Sequence, residues 1–196
     1  IVYDKTKVLG DRKGAQRVSA GRDALGRPVI TDYLAWITMT GGQINRGDVV
    51  TSDLEQITLA ASGFISKAKD ATYEMQPLLV SSREAMAIDV AEVKKDPEPA
   101  KLLKEFKASG EPFIVAARIT GTFKSAFPDG PPKDKIREEI AAARVKKGEA
   151  VPKAQKHLKE AIKPASMIVV ADTDMLVDRF WVRSQDFFGQ RVDVPI

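Results

Sequence analysis

The hydrophobic residues of this chain fall in short runs separated by turn-forming residues. Residues 33–39 (YLAWITM) form a predicted strand closed by Gly41-Gly42. Residues 57–65 (ITLAASGFI) form a second, and Gly63 inside it points to a bulge or a close backbone approach. Residues 73–80 (YEMQPLLV) form a third, with Pro77 favouring an edge position or the start of a strand. Residues 48–51 are expected to pair or turn. After Asp96-Pro97-Glu98-Pro99 the period lengthens. Leu102, Leu103 and Phe106 make the apolar stripe of a helix, Lys101, Lys104, Glu105 and Lys107 face out, and Gly110 stands where a C-terminal cap belongs. Residues 113–119 (FIVAARI) follow as a strong strand, and this helix–strand step is an α/β signature. Residues 167–171 (MIVVA) are a fully apolar strand ended by Asp172-Thr173-Asp174. A helix is predicted over 175–187, where Leu176, Val177, Phe180, Trp181 and Phe187 cover more than one face. The runs 1–3 and 192–196 look extended and read as continuing into a longer parent chain. No repeat of 20–50 residues is present, which argues against a solenoid.

Two segments break this pattern. Residues 11–32 are rich in Gly, Arg, Lys and Asp and read as irregular and exposed, with turns at Gly10-Asp11 and Gly26-Arg27-Pro28. Residues 131–164 have no aromatic residue and hold ten Lys and Arg against five Asp and Glu. Short amphipathic patterns (Ile136, Ile140 and Ala143, then Ala154, Leu158, Ala161 and Ile162) are separated by Gly148 and Pro152. The segment reads as a charged, helix-prone insertion. It also explains the charge of the chain. The whole sequence has 31 Lys and Arg, 27 Asp and Glu, and a net +4. The insertion supplies +5, so the remainder is close to neutral and the pI of about 9.2 is no nucleic-acid footprint.

Composition removes much chemistry. With no Cys among 196 residues, disulfides, thiolate zinc sites, iron–sulfur clusters and cysteine nucleophiles are excluded within the chain. One His excludes a two-histidine metal site. No run of about 18 apolar residues occurs, and no signal peptide precedes Ile1, so this stretch reads as soluble.

The best candidate for chemistry is the carboxylate cluster Asp172, Asp174 and Asp178. An apolar strand ending in Asp-x-Asp places carboxylates at the ligand-binding edge of an open α/β sheet, and hard oxygen ligands there suit magnesium or calcium. The plainer reading is favoured: Asp at a strand–helix junction caps the helix and suits its dipole. The strand resembles a Walker-B strand, but no GxxxxGK[ST] loop exists to cradle phosphate. His157 sits among lysines and reads as a solvated surface residue rather than part of a triad. The lysines of 131–164 alternate with acids and have no interleaved aromatic residues, so nucleic acid is not expected as a partner. Arg12, Lys13, Arg17, Arg22 and Arg27 form a second, unspecific basic patch. Trp36 and Trp181 lie in apolar pattern and are expected in the core. No catalytic residue and no cofactor is expected.

Three segments together carry a family resemblance: Ala15-Gln16-Arg17-Val18, Phe127-Pro128-Asp129-Gly130-Pro131-Pro132, and above all the stretch from Val169 to Gln190, with Val169-Val170-Ala171-Asp172-Thr173-Asp174-Met175-Leu176-Val177-Asp178-Arg179-Phe180-Trp181-Val182 at its centre. The chain resembles the GldG-like auxiliary component of an uncharacterised ABC-type transport system, a family named after gliding-motility proteins. The resemblance implies a bacterial extracytoplasmic (periplasmic) domain, between membrane helices of its parent chain, that accompanies an ABC ATPase and permease. It also implies an α/β layered sheet similar to class I glutamine amidotransferase-like, flavodoxin-like folds. The expected organisation is a single α/β domain over 1–196, or a fragment of a larger extracytoplasmic domain, with the insertion at 131–164 within it. The expected function is non-enzymatic scaffolding or ligand binding through sheet-edge loops, including Asp172 to Asp174. The expected partners are the permease and ATPase subunits, with self-association left open. Two alternatives stand beside this: a metal-assisted hydrolase using Asp172, Asp174 and Asp178, and a glycan-binding module with exposed aromatic residues.

Overall fold

The computed structural model describes residues 1–130, 144–146 and 157–195. Its strands are, in chain order, β1 (Val2–Tyr3), β2 (Lys7–Asp11), β3 (Ala15–Arg22), β4 (Pro28–Thr40), β5 (Gln56–Ala60), β6 (Ile65–Ser66), β7 (Glu74–Val80) and β8 (Ala85–Asp89). Two short helices follow, α1 (Ala91–Lys94) and α2 (Pro99–Lys104). Then come β9 (Ile114–Gly121), β10 (Ala165–Val170), β11 (Val182–Phe187) and β12 (Gln190–Pro195). The chain divides into two compact units, one of Ile1–Ile119 with Met167–Ile196 and one of Thr120–Ser166.

The first unit is built of small antiparallel sheets. β4 is its longest strand and lies between β3 and β5, with Trp36 opposite Ala60 and Thr38 opposite Thr58. β2 pairs antiparallel with β8. β1, β6, β9 and β10 follow one another in a further sheet, in which β7 also pairs with β9. β11 and β12 form a hairpin.

The expected α/β layered fold, similar to class I glutamine amidotransferase-like folds, is therefore overturned. A parallel sheet needs crossovers of a dozen or more residues, usually helical. Here α1 and α2 span four and six residues, and the strand pairs β1–β6, β2–β8, β3–β4, β4–β5, β6–β9 and β11–β12 are all antiparallel. The apolar residues predicted for this helix do pack, since Leu102 is buried and Leu103 and Phe106 lie on the same cluster, but α2 ends at Lys104 and Phe106 lies beyond it. Gly110 is no helix cap: it lies beyond the end of α2, in a turn whose carbonyl accepts the Arg83 guanidinium at 3.1 Å.

Two further expectations fail for local reasons. Residues 11–32 are not irregular. On β3 the residues alternate, with Gln16, Val18 and Ala20 partly covered and Arg17 and Ser19 exposed, so a period of two lay beneath a loop-like composition. The turn expected at Gly26-Arg27-Pro28 exists, organised by Asp23, whose carboxylate accepts the N–H groups of Leu25 and Arg27 at 2.9 Å each. Gly10-Asp11 is no turn, since both residues belong to β2. Residues 175–187 are not a helix. Two single 3₁₀ turns, Asp174–Leu176 and Asp178–Phe180, are separated by Val177 in an extended conformation, and β11 follows. Phe188 and Gly189, with φ of 53° and 80°, close the hairpin in the left-handed conformation that two-residue hairpin turns require.

The apolar residues of β4 serve two clusters. Ile37 and Met39 pack with Leu9, Leu59, Leu78 and Val115. Tyr33 and Leu34 pack with Val8, Ile88 and Leu102. Strand β2 likewise sends Leu9 to one cluster and Val8 to the other, as alternation demands.

Two polar arrangements fix the loops. The carboxylate of Asp11 has no exposed surface. It accepts Ser82 N–H and Ser82 Oγ–H at 2.6 Å each, Lys13 N–H at 2.9 Å and Gln43 Nε2–H at 3.2 Å. Asp48 takes a two-point fork from Arg118, Nε to Oδ2 at 2.6 Å and a terminal nitrogen to Oδ1 at 2.7 Å. This clamps the β4–β5 connection onto β9.

In the second unit, the described residues pair Lys124 with Glu160 across an antiparallel bridge, flanked by Ser125 N–H to Lys159 O and Ala161 N–H to Phe123 O, each 2.8 Å. Residues 144–146 have helical backbone. Leu158 and Ile162 are exposed and not helical, contrary to the amphipathic pattern expected there. Ile136, Ile140, Ala143, Gly148, Pro152 and Ala154 lie outside the described residues.

Two stability predictions follow from the polar arrangements. The Arg118 fork, with the Val50 N–H, lowers the Asp48 pKa from an ordinary 3.8 to about 2. A folded-state pKa below the unfolded value gives stability that is complete above the unfolded pKa and is lost as pH falls through the folded one. Urea midpoints should therefore place the wild type above Asp48→Asn at about pH 5, with the gap closing as pH falls from 3.8 through about 2. A gap that stays constant over that range would contradict the pairing. For Asp11→Ala, which leaves several part-buried donors without their acceptor, urea unfolding should show a loss of about 3 kcal/mol. A loss below about 1 kcal/mol would mean those donors find other acceptors.

Candidate functional site

The most specific sequence motif begins where β10 ends, and its backbone is clipped on two sides there. Ala171 N–H donates to Val115 O at 2.9 Å, and Ala171 O accepts Gly63 N–H at 2.7 Å. Asp172 comes next. Its Oδ2 accepts Ala60 N–H and its Oδ1 accepts Met175 N–H, both at 3.0 Å. One carboxylate thus joins the end of β5 to the first 3₁₀ turn after β10. Burial pushes the Asp172 carboxyl above the usual Asp range, against the pull of the Met175, Ala60 and Asp174 N–H groups.

A groove of about 370 Å³ runs along this junction, between Tyr3, Gly63 and Ile65 on one side and Val170 and Asp172 on the other. Gly63 is a close approach, as its place in the sequence suggested. A Cβ there would lie 2.4 Å from Cε2 of the Tyr3 ring. Ala61, with φ of 49°, turns the chain between β5 and β6 and breaks the single strand expected over 57–65.

The three candidate carboxylates are not alike. Asp172 is partly buried and holds backbone N–H groups, whereas Asp174 and Asp178 are exposed and each opens a 3₁₀ turn. Among the described residues no group of three or more His, Cys, Asp and Glu is placed to hold a metal ion. The chemistry this geometry supports for Asp172 is that of a cap and a strap.

The other candidates are dispersed. His157 Nε2 lies 2.6 Å from Phe127 O in the second unit. In the basic patch, Arg27 pairs with Asp23, Arg22 donates to Gly26 O, and Arg12 lies over the Phe106 ring, so these three cations serve local contacts. Trp36 is half-buried against Tyr33, with ring centroids 5.8 Å apart. Trp181 is no core residue: it is 38% exposed and its Nε1–H donates to Met175 O.

Sequence reasoning missed Arg179. Its guanidinium carbon lies 5.5 Å from the Trp36 ring centre and 4.8 Å from that of Phe180. The signal was the run Arg179-Phe180-Trp181, which a helical reading spread over separate faces. Asp11 was missed because a Gly-Asp pair was read as a turn.

If Asp172 is a strap, Asp172→Ala should cost about 1–2 kcal/mol, the usual loss of a capping carboxylate. In amide hydrogen exchange both Ala60 and Met175 should lose protection together. Loss at Met175 alone would show that the bond to β5 does not hold.

The family model described as an ABC-type uncharacterized transport system matches residues 1–196. Comparison with curated proteins and with solved structures found no match. The match covers the segments that prompted the resemblance, from Ala15-Gln16-Arg17-Val18 to the strand-end motif now seen strapped by Asp172. The chain belongs to the family of auxiliary components of this ABC-type transport system.

Proposed function

We propose that this chain is a non-enzymatic scaffolding and binding component of its transport system, GldG-like in kind, set on the extracytoplasmic face of a bacterial inner membrane and working beside a permease and an ATPase. The observation that carries this reading is the use of Asp172. Asp172, the partly buried carboxylate of the motif, accepts a backbone N–H on each oxygen. Such a strap ties the end of β5 to the turn after β10 and gives the neighbouring surface a fixed shape. Family membership and the lack of a GxxxxGK[ST] phosphate loop in the sequence support the same view, with ATP hydrolysis left to another subunit.

Affinity purification of the intact parent chain from its native membrane tests this reading. The permease and ATPase should copurify, and Asp172→Ala should reduce their recovery several-fold. Recovery of neither subunit with the wild type would remove the proposal.

A further inference from the structure

A second groove, of about 380 Å³, opens on one face of the β3–β4–β5 sheet. Register places its sheet residues together. Trp36 and Thr38 alternate onto the same face of β4, Thr58 lies opposite Thr38, and Gln56 is two residues before Thr58. Gln16 Nε2 donates to Thr38 Oγ1 at 3.0 Å, and the Thr38 and Thr58 hydroxyls are 3.3 Å apart. Over this neutral polar ladder the second 3₁₀ turn brings Arg179, Phe180 and Trp181.

Arg179 is held in an unusual way. Its guanidinium rests on two aromatic rings, at 5.5 Å from Trp36 and 4.8 Å from Phe180. Among the described residues no carboxylate lies within ion-pair distance of it, although Asp178 is its neighbour in sequence. Cation–π attraction places a guanidinium beside the rings while leaving its N–H groups for a second partner. A cation placed in advance at a groove suits a planar anion.

The lining selects the anion. Arg179 is the only charged residue among the described residues that line the groove. Among the described lining residues no second cation balances a dianionic phosphate. One guanidinium fork matches one carboxylate in both charge and shape. The volume suits a small molecule, and the indole of Trp181 with the edge of Trp36 offers apolar surface to its body. We propose that this groove binds a small carboxylate-bearing ligand, with the carboxylate on the Arg179 guanidinium and the body against Trp36 and Trp181. The site adjoins the segment strapped by Asp172 and does not depend on which subunits the chain assembles with.

The chain has two tryptophans, so two indole N–H signals report on the groove by NMR. N-acetylphenylalanine and glucuronate are the probes, one with a peptide-like body and one with a sugar body. N-acetylphenylalanine amide and inorganic phosphate are the comparisons. Either acid should shift the indole signals saturably, and the tighter of the two names the kind of body preferred. The uncharged amide should bind about tenfold more weakly, as should the acid to Arg179→Lys, which keeps the charge but loses the fork. Arg179→Gln should abolish saturation. The proposal is overturned if neither acid gives a saturable shift, if the amide binds as well as the acid, or if phosphate binds more tightly than both acids. The acid–amide comparison uses the wild-type protein, so it decides the matter even if a variant fails to fold.

Discussion

A carboxylate buried among neutral donors holds the first unit in shape. Asp11 ends β2, and its two oxygens draw in the backbone of Lys13, the side chain of Gln43 after β4, and both the N–H and the hydroxyl of Ser82 between β7 and β8. Three connections that are distant in sequence therefore close on one residue. A buried carboxylate without hydrogen bonds would oppose folding by several kcal/mol, so the donors and the acceptor are mutually required. With this point fixed, β2 can divide its side chains between two apolar clusters, and β4 can do the same beside it.

That frame shapes the surface above it. Because Tyr33 and Leu34 lie in one cluster and Ile37 and Met39 in the other, β4 is anchored from Tyr33 to Met39, and the polar face it shares with β3 and β5 lies beneath the second 3₁₀ turn. The Asp172 strap ties those turns to the end of β5. The Arg179 guanidinium then lies over the Trp36 ring. The first part of the specific stretch Val169 to Gln190 is thus a surface segment held at several points by a buried framework.

What the sequence made legible follows from range of interaction. Strands were readable where an apolar run was short and bounded by Gly or Pro, as in β4, β9 and β10, and in β7 from its apolar residues between polar flanks. Leu102 and Leu103 were readable as the apolar side of a short helix because they lie within one turn, although Phe106 falls beyond its end. Fold class was not, because parallel and antiparallel sheets differ in which strands pair, and the pairing of β2 with β8 joins residues far apart in the chain. β3 was hidden by composition, since Arg17 and Ser19 face water and only the alternate positions are covered. Residues 175–187 were misread because apolar residues on every side suit a buried helix and suit two tight turns with a hairpin equally well. The extended Val177 and the Phe188-Gly189 turn decide between them. At the candidate site, Asp172 was legible as a cap, but its second bond reaches Ala60, 112 positions away. The stacking of Arg179 on Trp36 is of the same long-range kind.

If the antiparallel frame holds the motif segment rigidly, its grooves exist before any partner arrives. Native-state hydrogen exchange tests this most directly. The amides of Ala60, Gly63 and Met175, bonded to Asp172 or Ala171, should exchange only as slowly as Thr38 in β4, which is bonded to Gly14. Exchange of these three amides at the rate of an exposed turn, while Thr38 stays protected, would contradict the claim.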